Sequence, residues 1–259
     1  MKTLTRCAAL GLLLGLVACN GEALSTSDST LPVGPMDRDI AVQSGDDAAQ
    51  DVELMGAAGG PLGLSLSASA TGEDDVPFRC GTHTRDALTI VRTCTFKDAA
   101  GATQTDYDRL TTASAAIHAV ITGSVVRENW TATDINRVRD LIVSGLAGVE
   151  TQRTWNGTGT GSSNRERHVE GSDTRNYTAA SVLTVTNVVV PAPRTENSWP
   201  LSGTITRTVT LTVVGGPNDG KTRQRTVTIT FNGTQLVPLT VNEKSFTFDL
   251  KTRKIVSGS

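Results

Sequence analysis

Residues Gly215-Gly216-Pro217-Asn218-Asp219-Gly220-Lys221-Thr222 fit the phosphate-binding pattern GxxxxGK[ST] letter for letter. Such a loop holds nucleotide when it follows a buried parallel strand and opens a helix, whose first amides cradle the phosphates. Here Thr222 begins an alternating run of threonine and valine, so the segment reads as a hairpin turn and no nucleotide is expected. Gly157-Thr158-Gly159-Thr160-Gly161 is GxGxG without the helix and acidic residue of a dinucleotide fingerprint, and reads as a mobile surface turn through Ser163. His83, Arg85 and Asp86 cluster near Cys80, but no serine sits in a GxSxG elbow. A hydrolase would need His83, Asp86 or His168 to meet a serine or threonine in a cleft; His118 stands apart. Glu73-Asp74-Asp75 lies in a linker, and Asp106 with Asp108 straddles a strand end, so neither constrains a glycosidase geometry. No CxxC or HxxxH spacing accompanies Cys80 and His83, and neither metal nor cofactor is expected.

Three arginines suggest binding rather than catalysis. Arg207, Arg223 and Arg225 share a strand face with Val209, Leu211, Val227 and Ile229. On a concave surface their heads would meet an acidic ligand or lipid headgroup while their stems covered apolar surface. The plainer placement is the sheet margin, with the guanidinium groups snorkelling into water.

The N-terminus has the layout of an export signal. Lys2 and Arg6 precede an uncharged run from Ala8 to Ala18, shorter than the roughly 20 apolar residues that span a bilayer. The run ends in Leu16-Val17-Ala18-Cys19, which resembles the lipobox of bacterial prolipoproteins. The resemblance implies a signal peptide over 1–18, cleavage before Cys19 and a diacylglycerol on its thiol. Each buried lipid methylene contributes about 0.8 kcal/mol, so two or three chains anchor firmly where one is marginal. Asn20 stands where aspartate would imply inner-membrane retention, so outer-membrane anchoring is implied for a Gram-negative cell. By the same reading Cys7 leaves with the signal and Cys19 is alkylated. Cys80 and Cys94 are then the remaining pair, expected to bridge in an oxidising compartment and to contribute about 3 kcal/mol.

The elements that must carry these residues are strands. Charged residues make up 19% of the chain and aromatic ones 4%, while threonine, serine, glycine and valine abound, as in sheets with a threonine-covered outer face. Formal charge is −2, or −4 once Lys2 and Arg6 are removed, too weak and too mixed to suggest nucleic-acid binding. Residues 19–75 read as a lipidated flexible tether about 40 Å in mean reach. Within it Ser44-Gly45-Asp46-Asp47 resembles a capping box, followed by one or two helical turns over Ala48–Met55.

Residues 76–259 read as an antiparallel β domain. In Thr204–Val213 even positions are all threonine and odd ones apolar except Arg207. Its partner is Thr222–Phe231, and pairing Val209 with Val227 and Ile205 with Phe231 brings the apolar faces together. Ala87–Lys97 and Thr103–Tyr107 flank a turn at Asp98–Gly101. Ser114–Arg127 is a long strand or a helix broken at Gly123, with strand the adopted reading; Asp134–Gly145 is ambiguous in the same way. Val149–Trp155, Arg165–Val169, Tyr177–Val190, Leu236–Val241 and Ser245–Leu250 continue the alternation. The expected fold is mostly β: about ten strands in an antiparallel meander, curved strongly or rolled into an open barrel, behind a disordered tether.

Function follows as an expectation: a membrane-anchored envelope lipoprotein that binds an apolar ligand, a lipid or an envelope protein without catalysis. A structural or adhesive module and an unrecognised hydrolase are the alternatives. Mass spectrometry of the mature protein should find its first residue to be lipid-modified Cys19; an unmodified N-terminus elsewhere excludes the anchor.

Overall fold

The computed structural model describes residues 33–55, 80–147, 150–168, 174–192 and 197–258. The signal segment and Cys19 lie outside these residues. The described chain contains one α-helix, α1 (Val33–Leu54), and twelve strands. These are β1 (Gly81–Arg85), β2 (Leu88–Asp98), β3 (Thr103–Gln104), β4 (Thr112–Val126), β5 (Trp130–Ser144) and β6 (Gln152–Arg167). They continue with β7 (Arg175–Pro191), β8 (Ser202–Val214), β9 (Thr222–Thr230), β10 (Leu236–Val241), β11 (Lys244–Asp249) and β12 (Lys254–Gly258).

Apart from β3, which pairs only with β2, every strand lies beside its sequence neighbours in one antiparallel sheet running from β1 to β12 without closing. The meander is as the alternation predicts. Both ambiguous segments are strands, β4 and β5, and the positions read as a possible helix break, Gly123, and a possible helix cap, Asp134, are bulges. Gly123 (φ 129°) and Asp134 (φ 51°) sit where the pairing register shifts. Asn187 marks a third such shift, between β7 and β8. An extra residue on one strand bends it and raises its twist, so these bulges curl a sheet of this width.

One expected turn is absent. Residues 157–163 run straight through β6, a 16-residue strand. The glycines are there for their neighbours. Gly159 pairs with Arg139 and Gly161 with Arg137. A Cβ on Gly159 would lie 2.8 Å from Arg139 Cδ and 2.5 Å from the Val138 carbonyl oxygen. The missing side chains leave room for two arginine stems. The β8–β9 register also differs from the expected one by two residues: Ile205 faces Ile229 and Val209 faces Arg225. The loop between them carries a three-residue 3₁₀ turn, Gly216–Asn218, and closes where the amide of Val213 donates to the Lys221 carbonyl. A shift of two keeps every side chain on its predicted face.

The largest departure lies in the segment read as tether. Residues 33–54 form a 22-residue helix in the hollow of the curved sheet, and from Met36 to Met55 only Arg38 is exposed and Glu53 half-buried. The supposed capping box at 44–47 is mid-helix, with Ser44, Asp46 and Asp47 all buried. Gly45 costs about 1 kcal/mol of helix propensity. Its place is fixed by Phe248, whose ring carbon would lie 2.4 Å from any Cβ there.

The core therefore has two parts. Ile40, Ala41, Ala48 and Val52 of the helix, with Met55 just after it, join Trp155, Leu183, Ile205, Val227, Leu239 and Phe248 of the sheet in one apolar cluster. The Cys80–Cys94 disulfide, with Cα atoms 5.9 Å apart, ties the chain just before β1 to β2 at the sheet edge. Replacing Gly159 with valine should lower the urea-unfolding free energy by about 1–3 kcal/mol. The same change at its neighbour Thr158, on the outer face, should stay within about 0.5 kcal/mol.

Candidate functional site

Alternation along the strands sends one row of side chains inward, and that row is rich in arginine. In β5, Arg137 and Arg139 fall in phase with the buried Ile135, Leu141 and Val143. The same parity turns Arg165 and Arg167 of β6, Arg207 of β8, and Arg223 and Arg225 of β9 toward the hollow. Small residues flank several of them across the sheet: Arg139 lies between Ala119 and Gly159, and Arg165 pairs with Ala132. The three arginines singled out by sequence thus sit inside, not at the margin.

What they meet is the chain's own helix. Asp51 accepts from Arg139 Nε at 2.8 Å and is also paired with Arg207. Asp47 accepts from Arg137 at 2.6 Å and from Arg165 at 3.0 Å, with Arg207 at 4.0 Å. Asp39 binds Arg167 at 3.2 Å and Arg175 at 2.9 Å, and accepts the Tyr177 hydroxyl at 2.9 Å. Asp37 takes Arg225 at 2.9 Å and Lys244 at 3.2 Å. Asp46 joins Arg127, beyond β4, to Arg253, before β12, at 3.3 and 2.9 Å. One helical carboxylate thereby joins the β4–β5 turn to the β11–β12 turn, across which Lys254 also reaches Glu128 at 2.8 Å.

These charges are taken from water together. Burial by itself would raise the pKa of Asp47, but the guanidinium groups of Arg137, Arg165 and Arg207 outweigh it and hold the carboxyl well below its usual range. Burial lowers the pKa of Arg207 even though Asp51 and Asp47 support its charge. It raises that of Tyr177, with the Asp39 carboxylate acting in the same direction. Trp130 contributes the face of its ring, 4.8 Å from the Arg165 guanidinium carbon.

The remaining motifs stay apart from this cluster. Asp219 accepts the Gly215 amide at 2.6 Å, so the loop that mimics a phosphate cradle is filled by its own carboxylate and runs into a strand. His83 lies on β1, 3.3 Å from the Cys80 carbonyl oxygen, and Asp86 occupies the adjoining turn. His118 pairs with Asp140 at 2.7 Å on the exposed outer face. In the same outer row Asp140 is followed by Thr158, Thr184, Thr206, Thr228 and Thr240 on successive strands. His168 stands 3.5 Å from the Thr131 hydroxyl and 3.6 Å from Glu166, close to an open hollow of about 320 Å³. Among the described residues no group of three or more histidines, cysteines or carboxylates could hold a metal ion.

Sequence reading missed Arg137, Arg139, Arg165 and Arg167, as well as the helical aspartates. Their signal was present: arginines in phase with the apolar face of a strand cannot all reach water. No known family model, curated protein or solved structure matches the chain.

Replacing Asp47 with asparagine leaves Arg137 and Arg165 buried without their counter-charge and should cost about 3–5 kcal/mol. Because the folded-state pKa of Asp47 is depressed, the stability it contributes is complete above about pH 4 and is lost as pH falls further. Denaturation midpoints should therefore hold down to about pH 4 and then drop. The asparagine variant should drop less steeply over the acid range.

Proposed function

We propose that this chain is a lipid-anchored, non-catalytic protein of the cell envelope, a structural or adhesive module held to the membrane through Cys19. The observation that supports it is the filled hollow. The concave face, where an apolar ligand or lipid would have to bind, is covered by α1, whose aspartates pair with its arginines. An apolar carrier needs that face vacant. A module that acts through its outer surface does not.

The outer face offers threonine rows interrupted by exposed Val91, Ile142 and Val182, a surface suited to an envelope protein rather than to nucleic acid. Anchoring at the outer membrane follows from the lipobox resemblance and Asn20 in a Gram-negative cell. The hydrolase reading has one specific support, the contacts of His168 with Thr131 and Glu166. Both are at the outer limit of hydrogen-bond reach, and His168 and Glu166 are nearly half exposed. If they formed a catalytic group, His168→Ala would abolish ester hydrolysis by the purified protein.

Two measurements test the proposal. Cys19→Ser should move the protein from the membrane fraction to the soluble one. Hydrogen exchange on the full chain should find the amides of 33–54 as slow as those of β5–β8. Fast exchange in the helix beside a protected sheet would mean that the hollow empties, and the carrier reading would replace this one.

A further inference from the structure

Four guanidinium groups, from Arg137, Arg139, Arg165 and Arg207, converge on only two carboxylates, Asp47 and Asp51. Four positive charges against two negative ones leave an excess of two in a region where each of these arginines is at most 5% exposed. Buried charge of that kind demands a counter-ion or a further hydrogen-bond partner. Neither Asp47 nor Asp51 has an oxygen to spare: both oxygens of each already accept from arginine or stand in an ion pair.

Beside Asp47, between the middle of α1 and strands β5 to β8, lies a small cavity of about 20 Å³. Gln43, Ser44, Arg137 and Arg165 line it together with Asp47, whose carboxylate is already taken by arginine, and Gly161 opens its floor, since a Cβ there would come within 3.3 Å of Arg137 Cγ. Three buried groups on its wall lack a protein partner: Gln43 Nε2, Ser44 Oγ and Arg165 Nη1. Nε of Arg207 and Nη2 of Arg139, in the same arginine group, also lack a hydrogen-bond partner, and Nη1 of Arg207 has only the 4.0 Å ion pair with Asp47. Each of these nitrogens can only donate, and the serine hydroxyl is free to do so. The volume suits one small species of about the size of a water molecule.

We propose that this cavity binds a single monatomic anion of the chloride type. The cavity's lining supplies unpartnered donors of the kind such an ion requires, and the ion's charge offsets half of the local excess. A water molecule accepts only two hydrogen bonds and brings no charge, so it would leave the imbalance in place. The site is separate from any outer-surface activity. It couples the anion to docking of the helix, because Gln43 and Ser44 are helical while Arg165 belongs to the sheet.

The full chain, melted in sodium chloride, sodium bromide and sodium gluconate at constant ionic strength, provides the test. Chloride and bromide should raise the melting temperature saturably by about 2–4 °C over gluconate, which is too large to enter. Ser44→Ala should keep the fold, as judged by circular dichroism, and reduce the halide response. Crystals soaked in bromide should give an anomalous peak beside Ser44 and Arg165. Identical melting in all three salts, or a cavity without an anomalous signal, overturns the proposal and leaves a water molecule as the occupant.

Discussion

Guanidinium groups on the inner face of the sheet and carboxylates on the helix cannot be buried separately. An arginine stripped of water without a partner costs several kcal/mol, and so does an aspartate. The sheet carries its arginines in phase with its apolar residues, so curling it around anything uncharged would strand them. The helix supplies what the curl requires. Asp37, Asp39, Asp46, Asp47 and Asp51 leave it in several directions and find cations on most of the long strands. Helix, curvature and charge are thus one structural unit.

The same constraint explains residue choices that are unfavourable locally. Glycine weakens a strand, yet Gly159 and Gly161 stand in the middle of β6 because arginine stems cross above them. Gly45 weakens a helix, yet it stands at mid-helix because Phe248 lies where its side chain would be. Aspartate and asparagine at Asp134 and Asn187 take positive φ at bulges that bend the sheet toward its occupant. Each residue gives up a little propensity so that charged and apolar groups pack together in the hollow.

For function, the filled hollow removes the surface on which a small ligand would ordinarily be sought. Open curved sheets invite comparison with lipid carriers, but a carrier keeps its concave face apolar and free. Here that face recognises an acidic helix, and the helix is covalently part of the same chain. What is presented outward is a threonine-covered convex surface with a few exposed valines and an isoleucine.

Much of the fold was legible in residue order. Strand alternation is a local property, because neighbouring side chains must point to opposite faces. Thr204–Val213 therefore announced its strand, and the inward placement of Arg207 relative to Val209 was readable. The disulfide partners also followed from the cysteine inventory once the lipobox resemblance was accepted. The helix was not readable in this way. Its carboxylates lie on all sides, so it lacks the apolar stripe that marks a helix packed on one face. A helix surrounded by sheet is buried all round, and its charges are tolerated only where particular arginines, some distant by more than a hundred residues, come to meet them. Sequence determined which way each strand side chain points; tertiary packing decided what it finds there, because pairing of buried charge is settled by distance in space, not along the chain.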